Sequence, residues 1–249
     1  MPPPALRISR SNMIKSVIFD LDDTLYDFTS AHAVALRRLT AYAGANLDLS
    51  PERFEALHRD AFRRQKERLG SCAAIHNRLI RCQLMLEAAG KPVGHAPEMA
   101  DLYWNALLER IRPMEGAIDT LASLRFMGLT VGIGSNMTAD WQYAKLKRLG
   151  LMTYVDFIVT SEEAGVEKPD AALFRLCAEK AGCAPGECAF VGDNLKGDAL
   201  GALDAGMTAF WLCRSPEPAD TPDGVTRIQS LFELPALIES HCPQRSHDR

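Results

Sequence analysis

Between residues 113 and 213 the sequence alternates between short apolar runs and segments of helical character. The apolar runs LTVGIGS, DFIVTS, CAFVGD and TAFWLC occupy residues 129–135, 156–161, 188–193 and 208–213. Helical segments are predicted between and beside them, near residues 115–127, 139–149, 170–181 and 196–205. Strands that alternate with helices form parallel sheets with helices on both faces. This pattern therefore predicts an α/β fold with a doubly wound parallel sheet.

One further strand is predicted far from the others, near the start of the chain. Residues 16–20, SVIFD, form a run that suits a strand buried on both faces. No comparable run follows before residue 113, and helical stretches are predicted instead at residues 31–43, 51–69, 74–89 and 96–111. We therefore predict a Rossmann-like core and an inserted all-helical domain. The core is expected at residues 11–27 and 112–240, the insert at 28–111, and weakly ordered termini at 1–10 and 241–249.

Charge and composition exclude several classes of partner. The 249 residues carry a net charge of −4, so there is no basic excess to indicate a nucleic acid polymer as partner. No run approaches the roughly 20 apolar residues of a membrane helix, and the first residues lack the apolar stretch of a signal peptide. Seven cysteines without a CxxC pair argue against a disulfide framework and a zinc site. We expect a cytoplasmic protein without a membrane partner, and the sequence leaves its oligomeric state open.

Polar residues follow the predicted strands at the edge where such sheets bind ligands. In open α/β sheets this edge lies at the carboxyl ends of the strands. Four segments supply the candidates Asp20, Asp22, Ser135, Asn136, Lys168, Asp193 and Asp198. Four carboxylates against the single cation Lys168 would leave unpaired charge at a partly buried rim, which is energetically costly. Mg²⁺ would relieve it, because Mg²⁺ prefers carboxylate oxygens and leaves room for a phosphate oxygen.

The same residues predict the chemistry of phosphoryl transfer. Asp20, at the tip of the first strand, is expected to attack phosphorus and form an aspartyl phosphate. Asp22 would act as general acid and then as general base. Ser135 and Asn136 would bind phosphoryl oxygens of the substrate, and Lys168 would neutralise the charge that develops on them.

The metal ligands predicted from this arrangement are Asp20, Asp22 and Asp193. Asp198 lies further along, and we expect it to orient either a metal-bound water or the neighbouring lysine. A calcium-binding loop at DLDDTLYD is excluded, because Leu25 stands where such a loop requires glycine.

Each of these residues also has an ordinary structural interpretation. Asp22 and Asp23 suit a turn or a helix cap. Ser135 and Asn136, taken alone, suit a helix cap as well. An isolated lysine such as Lys168 is usually solvated. The functional interpretation depends on the joint placement of these residues at the strand ends.

The helical insert contains a basic stretch. Between Glu52 and Arg81 there are eight lysines and arginines against four acids. Most of this stretch fits a solvated helix face, although it could also attract an anionic substrate. Arg78 is the best candidate for a substrate contact, because it borders the apolar stripe predicted for helix 74–89; His76 and Arg81 are weaker candidates. That stripe consists of Ile75, Leu79, Cys82, Leu86 and Ala89.

These motifs resemble those of the haloacid dehalogenase (HAD) superfamily. DLDDT resembles its first motif, DxDxT; GIGSN carries its second-motif serine; EKPD resembles its lysine motif and VGDNLKGD its fourth motif. The motifs stand in the family's order between Lys15 and Arg214, and the helical insert is similar to the family's type 1 cap. The resemblance implies a Rossmann-like catalytic core with a helical cap that closes over the substrate.

We therefore expect a magnesium-dependent phosphatase that hydrolyses a small phosphorylated metabolite through a covalent aspartyl phosphate. The substrate classes that the resemblance favours are nucleoside monophosphates and sugar phosphates. A haloacid dehalogenase is disfavoured, because the resemblance implies that those enzymes lack the second aspartate, present here as Asp22. A phosphomutase of the same fold and a non-catalytic binding or regulatory protein are the remaining alternatives.

Overall fold

The fold is that of a parallel six-stranded sheet, seen in a computed structural model that describes residues 13–215 and 220–240. The strands are ordered β3-β2-β1-β4-β5-β6, and every neighbouring pair is parallel. Their bounds are Ser16–Phe19 (β1), Thr130–Ser135 (β2), Phe157–Thr160 (β3), Cys188–Gly192 (β4), Thr208–Leu212 (β5) and Val225–Ile228 (β6). The predicted doubly wound α/β fold is confirmed.

Strand β1 lies at the centre of the sheet and is buried on both faces. Val17 and Phe19 contribute to one apolar cluster, whereas Ile18 contributes to another on the opposite face. This alternation follows from the twofold period of side chains along a strand. Because β1 pairs with both β2 and β4, the residues that follow these three strands emerge at one edge of the sheet.

Four helices form residues 28–110, in the long segment that follows β1. They are α1 (Phe28–Leu47), α2 (Pro51–Leu69), α3 (Arg78–Ala89) and α4 (Ala96–Arg110). Asp27 caps α1 by accepting a hydrogen bond from the Ser30 amide, and Ser50 caps α2 in the same way before Pro51. Residues 28–111, all of which the structure describes, contain no strand. The exact division between core and helical cap stays a prediction.

The remaining helices accompany the sheet. They are α5 (Ala117–Phe126), α6 (Ala139–Leu149), α7 (Ser161–Ala164), α8 (Ala171–Ala181), α9 (Gly201–Asp204) and α10 (Leu234–Ser240), with a π-helical turn at Leu195–Leu200 before α9. In the part of the chain that the structure describes, no helix combines the length and the apolar character needed to cross a membrane. The predicted weakly ordered termini, 1–10 and 241–249, lie outside the described residues.

The structure differs from the predicted elements in two places that matter. Strand β6 was not predicted, because its central residues are Thr226 and Arg227 and it offers no continuous apolar run. The predicted helix 74–89 is divided into a 3-10 turn, Ala73–His76, and α3. The predicted stripe is wrong at Leu79, which is 45% exposed, because the break before α3 shifts the buried face.

Candidate active site

The first acid of the site, Asp20, follows β1 directly and is nearly buried. Its amide donates to the carbonyl of Val191, which continues the pairing of β1 with β4 for one residue beyond the strand. Asp20 Oδ1 accepts a hydrogen bond from Lys168 Nζ at 2.7 Å, and the same nitrogen lies 2.6 Å from Asp198 Oδ1. Lys168 therefore joins two carboxylates that lie 178 positions apart in the sequence and that only the fold of the sheet brings together.

Asp198 approaches the sheet so closely that the facing strand residue must be glycine. A Cβ on Gly192 would lie 2.2 Å from Asp198 Oδ2. The same oxygen accepts the amide of Asn194 at 3.0 Å, and the Asn194 side chain accepts the amide of Gly197. Glycine at the end of β4 thus gives the carboxylate its place beside Lys168.

Asp193 is held by the loop that follows β1. Its Oδ1 accepts from the Thr24 hydroxyl at 3.2 Å, and its amide donates to the same oxygen of Thr24 at 3.1 Å. The loop itself is fastened by Arg214, which donates to the carbonyls of Asp23 and Thr24. The two motifs that carry Asp20 and Asp193 are thereby fixed against each other.

The acids of this site suit a hard divalent cation. Asp20, Asp193 and Asp198 each offer an oxygen atom within 4.8 Å of the others. Burial, together with the charges of Asp198 and Asp22, raises the pKa of Asp20 to about 7 against the opposing effect of Lys168. Burial and the charge of Asp198 likewise raise the pKa of Asp193 to about 6. The site is therefore short of positive charge, and its donors are the carboxylate oxygens that Mg²⁺ prefers.

Asp22 is bound to a lysine, whereas the sequence predicts a metal ion as its partner. Both of its carboxylate oxygens accept from Lys145 Nζ, at 2.7 and 2.9 Å, and the Tyr26 hydroxyl donates to Oδ1 at 2.6 Å. Asp22 is not among the three clustered acids, whose third member is Asp198. Its predicted role as a metal ligand stays a prediction, and its side chain is bound to Lys145 in this conformation.

Lys145 is a second buried cation that the sequence interpretation missed. It is 0% exposed, so burial lowers its pKa, although the charge of Asp22 acts in the opposite direction. For Lys168 burial likewise acts to lower the pKa, but Asp198 and Asp20 outweigh it and raise the pKa. Lys168 is therefore not the single cation of the rim. The signal for Lys145 was its position on the buried face of α6, with Gln142, Leu146 and Leu149.

The two residues predicted to bind phosphoryl oxygens have distinct surroundings. Ser135, at the end of β2, is buried, and its Oγ accepts from Gln142 Nε2 at 2.7 Å. Asn136 exchanges hydrogen bonds with the backbone of Lys168: its Oδ1 accepts from the lysine amide at 2.8 Å, and its Nδ2 donates to the lysine carbonyl at 3.3 Å. Asn136 thus fixes the lysine loop.

A cavity of about 200 Å³ brings the predicted rim residues together. All seven of them line it, with Asn194 and Gly197 beside them. Arg78, predicted to bind substrate, does not line this cavity; its guanidinium lies in the cap and donates to the Tyr103 hydroxyl at 3.0 Å. The functional roles of these residues remain predictions.

Contacts of Trp104 and His76 join the helical cap to the core. Trp104 of α4 stacks on Trp141 of α6 with ring centroids 4.0 Å apart. His76 Nε2 lies 2.7 Å from the carboxylate of Glu167, the residue before Lys168. The cap therefore rests on the two segments that carry the buried lysines.

Comparisons with known proteins agree with this arrangement. The family model described as a haloacid dehalogenase-like hydrolase matches residues 14–206. A ribulose-1,5-bisphosphate 5-phosphatase from Halopiger xanaduensis is 36% identical over 91% of this chain and 100% of its own length. A glyceraldehyde 3-phosphate phosphatase from Methanothermobacter thermautotrophicus is 35% identical over 80% of this chain and 85% of its own.

Solved structures of similar fold include a phosphatase and a dehalogenase. A HAD phosphatase from Thermococcus onnurineus superposes with a TM-score of 0.69 at 26% identity, covering 90% of this chain and 98% of its own. A 2-haloacid dehalogenase from Pseudomonas syringae pv. Tomato gives a TM-score of 0.72 at 27% identity, covering 92% of this chain and 99% of its own. The chain therefore belongs to the haloacid dehalogenase-like hydrolases and is an enzyme of that family.

Proposed function

We propose that the protein is a magnesium-dependent phosphatase that hydrolyses a small phosphorylated metabolite, in the cytoplasm, through a covalent aspartyl phosphate. The observation that carries the proposal is the contact of Lys168 with Asp20 in a cavity that also holds Asp193 and Asp198. The cavity then contains three parts: a nucleophilic carboxylate, a cation for phosphoryl oxygens, and acids that need a counter-ion. Transfer of a phosphoryl group to a carboxylate requires these parts.

In the first step, a carboxylate oxygen of Asp20 bonds to phosphorus while the bond from phosphorus to the ester oxygen breaks. The electron pair leaves with the ester oxygen, and Asp22, which first takes up a proton from solvent on leaving Lys145, donates that proton to complete the alcohol. In the second step, water attacks phosphorus, Asp22 accepts its proton, and the bond to Asp20 breaks to release inorganic phosphate. Because Asp22 is bound to Lys145 before substrate arrives, this role requires it to turn toward the leaving oxygen.

The other residues of the cavity position the phosphoryl group. Lys168 neutralises charge on the phosphoryl oxygens, and Ser135 keeps its hydroxyl proton for donation, since its oxygen accepts from Gln142. Asn136 acts through the backbone of Lys168. Mg²⁺, when bound, would offset the repulsion between the phosphoryl group and the acids, and the residues suited to hold it are Asp20, Asp193 and Asp198.

The relatives favour a phosphorylated sugar or a related small metabolite as the substrate. Two of them act on ribulose-1,5-bisphosphate and glyceraldehyde 3-phosphate, and a third, from Thermus thermophilus, is a phosphoserine phosphatase at 32% identity over 89% of this chain. A pyrimidine 5′-nucleotidase from Escherichia coli matches only 58% of this chain. Within the two classes expected from the sequence, we therefore favour sugar phosphates over nucleoside monophosphates.

The decisive experiment measures release of inorganic phosphate from a panel of phosphorylated metabolites. We expect hydrolysis with Mg²⁺ and none with a chelator, and we expect Asp20→Asn to lower kcat by about 10³-fold or more, because the nucleophile is lost. Asp119→Asn, an exposed aspartate in α5, is the matched control and is expected to keep full activity. Full activity in Asp20→Asn would exclude the covalent mechanism.

The same panel distinguishes the alternatives. A phosphomutase would return the phosphoryl group to the sugar and release little of it into solution. A dehalogenase would release halide from 2-chloropropionate, which we expect not to occur. A binding or regulatory protein would bind phosphorylated metabolites with Mg²⁺ and hydrolyse none.

A further inference from the structure

The helical cap contains two buried arginines with two half-buried histidines near them, here called the cap cluster: Arg78, Arg81, His32 and His58. Arg78 is 7% exposed and Arg81 is 5% exposed. Burial, with the charges of both arginines, lowers the pKa of His32 to about 4 and that of His58 to about 3. The cluster therefore owes its positive charge at neutral pH to the two arginines.

Arg78 makes contacts with uncharged groups. It donates to the His76 carbonyl at 3.1 Å and to the Tyr103 hydroxyl at 3.0 Å. Its guanidinium carbon lies 4.6 Å from the centre of the Tyr103 ring and 5.6 Å from that of Trp104. Its Nε is buried and, among residues 13–215 and 220–240, has no hydrogen-bond partner. Arg78 therefore has an unused donor as well as an uncompensated charge.

Arg81 is also surrounded by uncharged partners. Its Nε donates to Gln65 Oε1 at 3.0 Å, one of its terminal nitrogens donates to the Ile75 carbonyl at 2.6 Å, and its guanidinium lies over the Phe62 ring at 4.3 Å. Burial and the neighbouring Arg78 lower the pKa of Arg81 to about 9, so it is still charged at neutral pH. Neutral donors could serve these acceptors equally well, so the local structure does not require the charge.

No carboxylate of residues 13–215 and 220–240 compensates the cap cluster. Within the described part of the chain, neither Arg78 nor Arg81 forms an ion pair. Asp22 is near enough for its charge to raise the pKa of Tyr103, but both of its oxygens are bound to Lys145. Two buried guanidinium groups without a counter-ion are costly, so an anion from outside the chain would stabilise this part of the fold.

The cap cluster adjoins the side of the catalytic cavity that holds Asp22. Trp104 lies next to both Arg78 and Lys145: the arginine carbon is 5.6 Å and the lysine nitrogen 5.9 Å from its ring centre. Lys145 in turn binds Asp22, which lines the catalytic cavity. In the proposed mechanism, Asp22 faces the leaving group of the substrate. An anionic group carried on the leaving group would therefore point toward Arg78.

We infer that the substrate carries a second anionic group, either a carboxylate or a second phosphate, and that this group binds to Arg78. Arg81 would hold the adjoining turn, Ala73–His76, in place. This inference rests on the proposed phosphatase function and narrows its substrate class to phosphate esters with an additional negative charge. Arg78 is the direct ligand, since it offers the unpaired donor. Arg81 is a positioning residue, since its hydrogen bonds go to Gln65 and to the turn at Ala73–His76.

The test compares substrates that differ only in the second group. Linear alkanediol monophosphates of three to five carbons are compared with the corresponding bisphosphates and with phosphooxy carboxylates of equal length. We expect kcat/KM to be at least about tenfold higher when either second anion is present. The bisphosphate and carboxylate series then distinguish which anion the site prefers.

Substitutions of arginine test whether Arg78 causes the preference for a second anion. Arg78→Met is expected to reduce the preference, which is the ratio of kcat/KM with and without the second anion, to less than about twofold. Arg68→Met removes the same charge from an exposed position of α2 and is expected to keep the preference. Arg78→Lys keeps the charge and is expected to retain part of the preference, and it carries the comparison if Arg78→Met is poorly folded.

A binding measurement separates recognition from turnover. In the Asp20→Asn background, calorimetry with the preferred bisphosphate is expected to give a Kd about tenfold higher when Arg78 is replaced by Met. Hydrolysis of monophosphates without any preference for a second anion would overturn this inference and leave the phosphatase intact. A preference that survives in Arg78→Met would overturn it as well. Failure to hydrolyse any phosphate ester would instead refute the proposed function.

Discussion

Buried charge is compensated differently in two regions: the rim of the sheet, which is the set of cavity residues at the carboxyl ends of the strands, and the cap cluster. At the rim, Lys168 is paired with Asp20 and Asp198, and Lys145 is paired with Asp22. Each buried cation has at least one acid, and the acids are in excess. In the cap cluster, two buried arginines have only uncharged partners in the described chain.

The sign of the uncompensated charge indicates what each region binds. The rim has spare carboxylates, whose pKa values at Asp20 and Asp193 are raised, so it is suited to a divalent cation. The cap cluster has spare guanidinium charge, so it is suited to an anion. The uncompensated charge of both regions would be balanced together by a metal ion, a phosphate ester and a second anionic group.

Among the contacts that distinguish the two regions, the pair between Lys145 and Asp22 is expected to give the largest effect when it is broken. Lys145→Met removes the cation that holds both oxygens of the proposed general acid, and we expect kcat to fall by about 10²-fold with little change in KM. Steady-state kinetics with the best substrate of the panel measures both constants.

Lys147→Met is the matched control, since Lys147 lies in the same helix but is exposed. It is expected to leave both constants unchanged. A rise in KM at constant kcat in Lys145→Met would contradict a positioning role and would assign Lys145 to substrate binding instead.

The strand ends were sufficient to predict the rim, because parallel strands bring their carboxyl ends to one edge wherever they lie in sequence. Lys145 was missed because the interpretation followed strand ends, whereas Lys145 reaches the site from the middle of α6. Arg81 was ranked below Arg78, yet both are buried. The break at Asn77, which caps α3, changes the phase of the helix and turns both arginines inward. Such a break is hard to infer from periodicity alone.

The next effect concerns the pH dependence of stability. On acidification, the contributions of the two regions to the free energy of unfolding should change in opposite directions. The pKa values of His32 and His58 lie below the 6.5 of the unfolded chain, so the unfolded state binds protons first as pH falls. Their contribution to the free energy of unfolding is therefore constant above pH 6.5 and falls from there to about pH 4 for His32 and about pH 3 for His58. The raised pKa values of Asp20 and Asp193 act in the opposite direction without metal.

A double variant isolates the contribution of the cap. Urea unfolding at pH 7 and pH 5, without Mg²⁺, is compared for the parent and for His32→Gln/His58→Gln. We expect the variant to lose less stability on acidification than the parent by about 2 kcal/mol, after allowance for the partial exposure of both rings. Equal losses in the two proteins would mean that the histidines are not held neutral by burial and by the two arginines.

The smallest effect is expected at the contact of His76 with Glu167, which joins the cap to the residue before Lys168. This pair is partly exposed, and such pairs contribute little individually. Glu167→Gln is expected to raise KM by about twofold to fivefold at unchanged kcat, because it weakens the contact between the helical cap and the core without altering Lys168. Glu239→Gln, an exposed residue of α10, is the control.

A double-mutant cycle with His76→Gln shows whether this effect belongs to the contact itself. If the contact is responsible, the double variant should be no worse than either single variant, because the second substitution has no contact left to remove. A decrease in kcat of more than about tenfold in Glu167→Gln would contradict this view, since a loss of that size in kcat belongs to an interaction made in the transition state. Glu167 would then act on the rim by positioning Lys168, and the stacking of Trp104 on Trp141 would be the contact that holds the helical cap to the core.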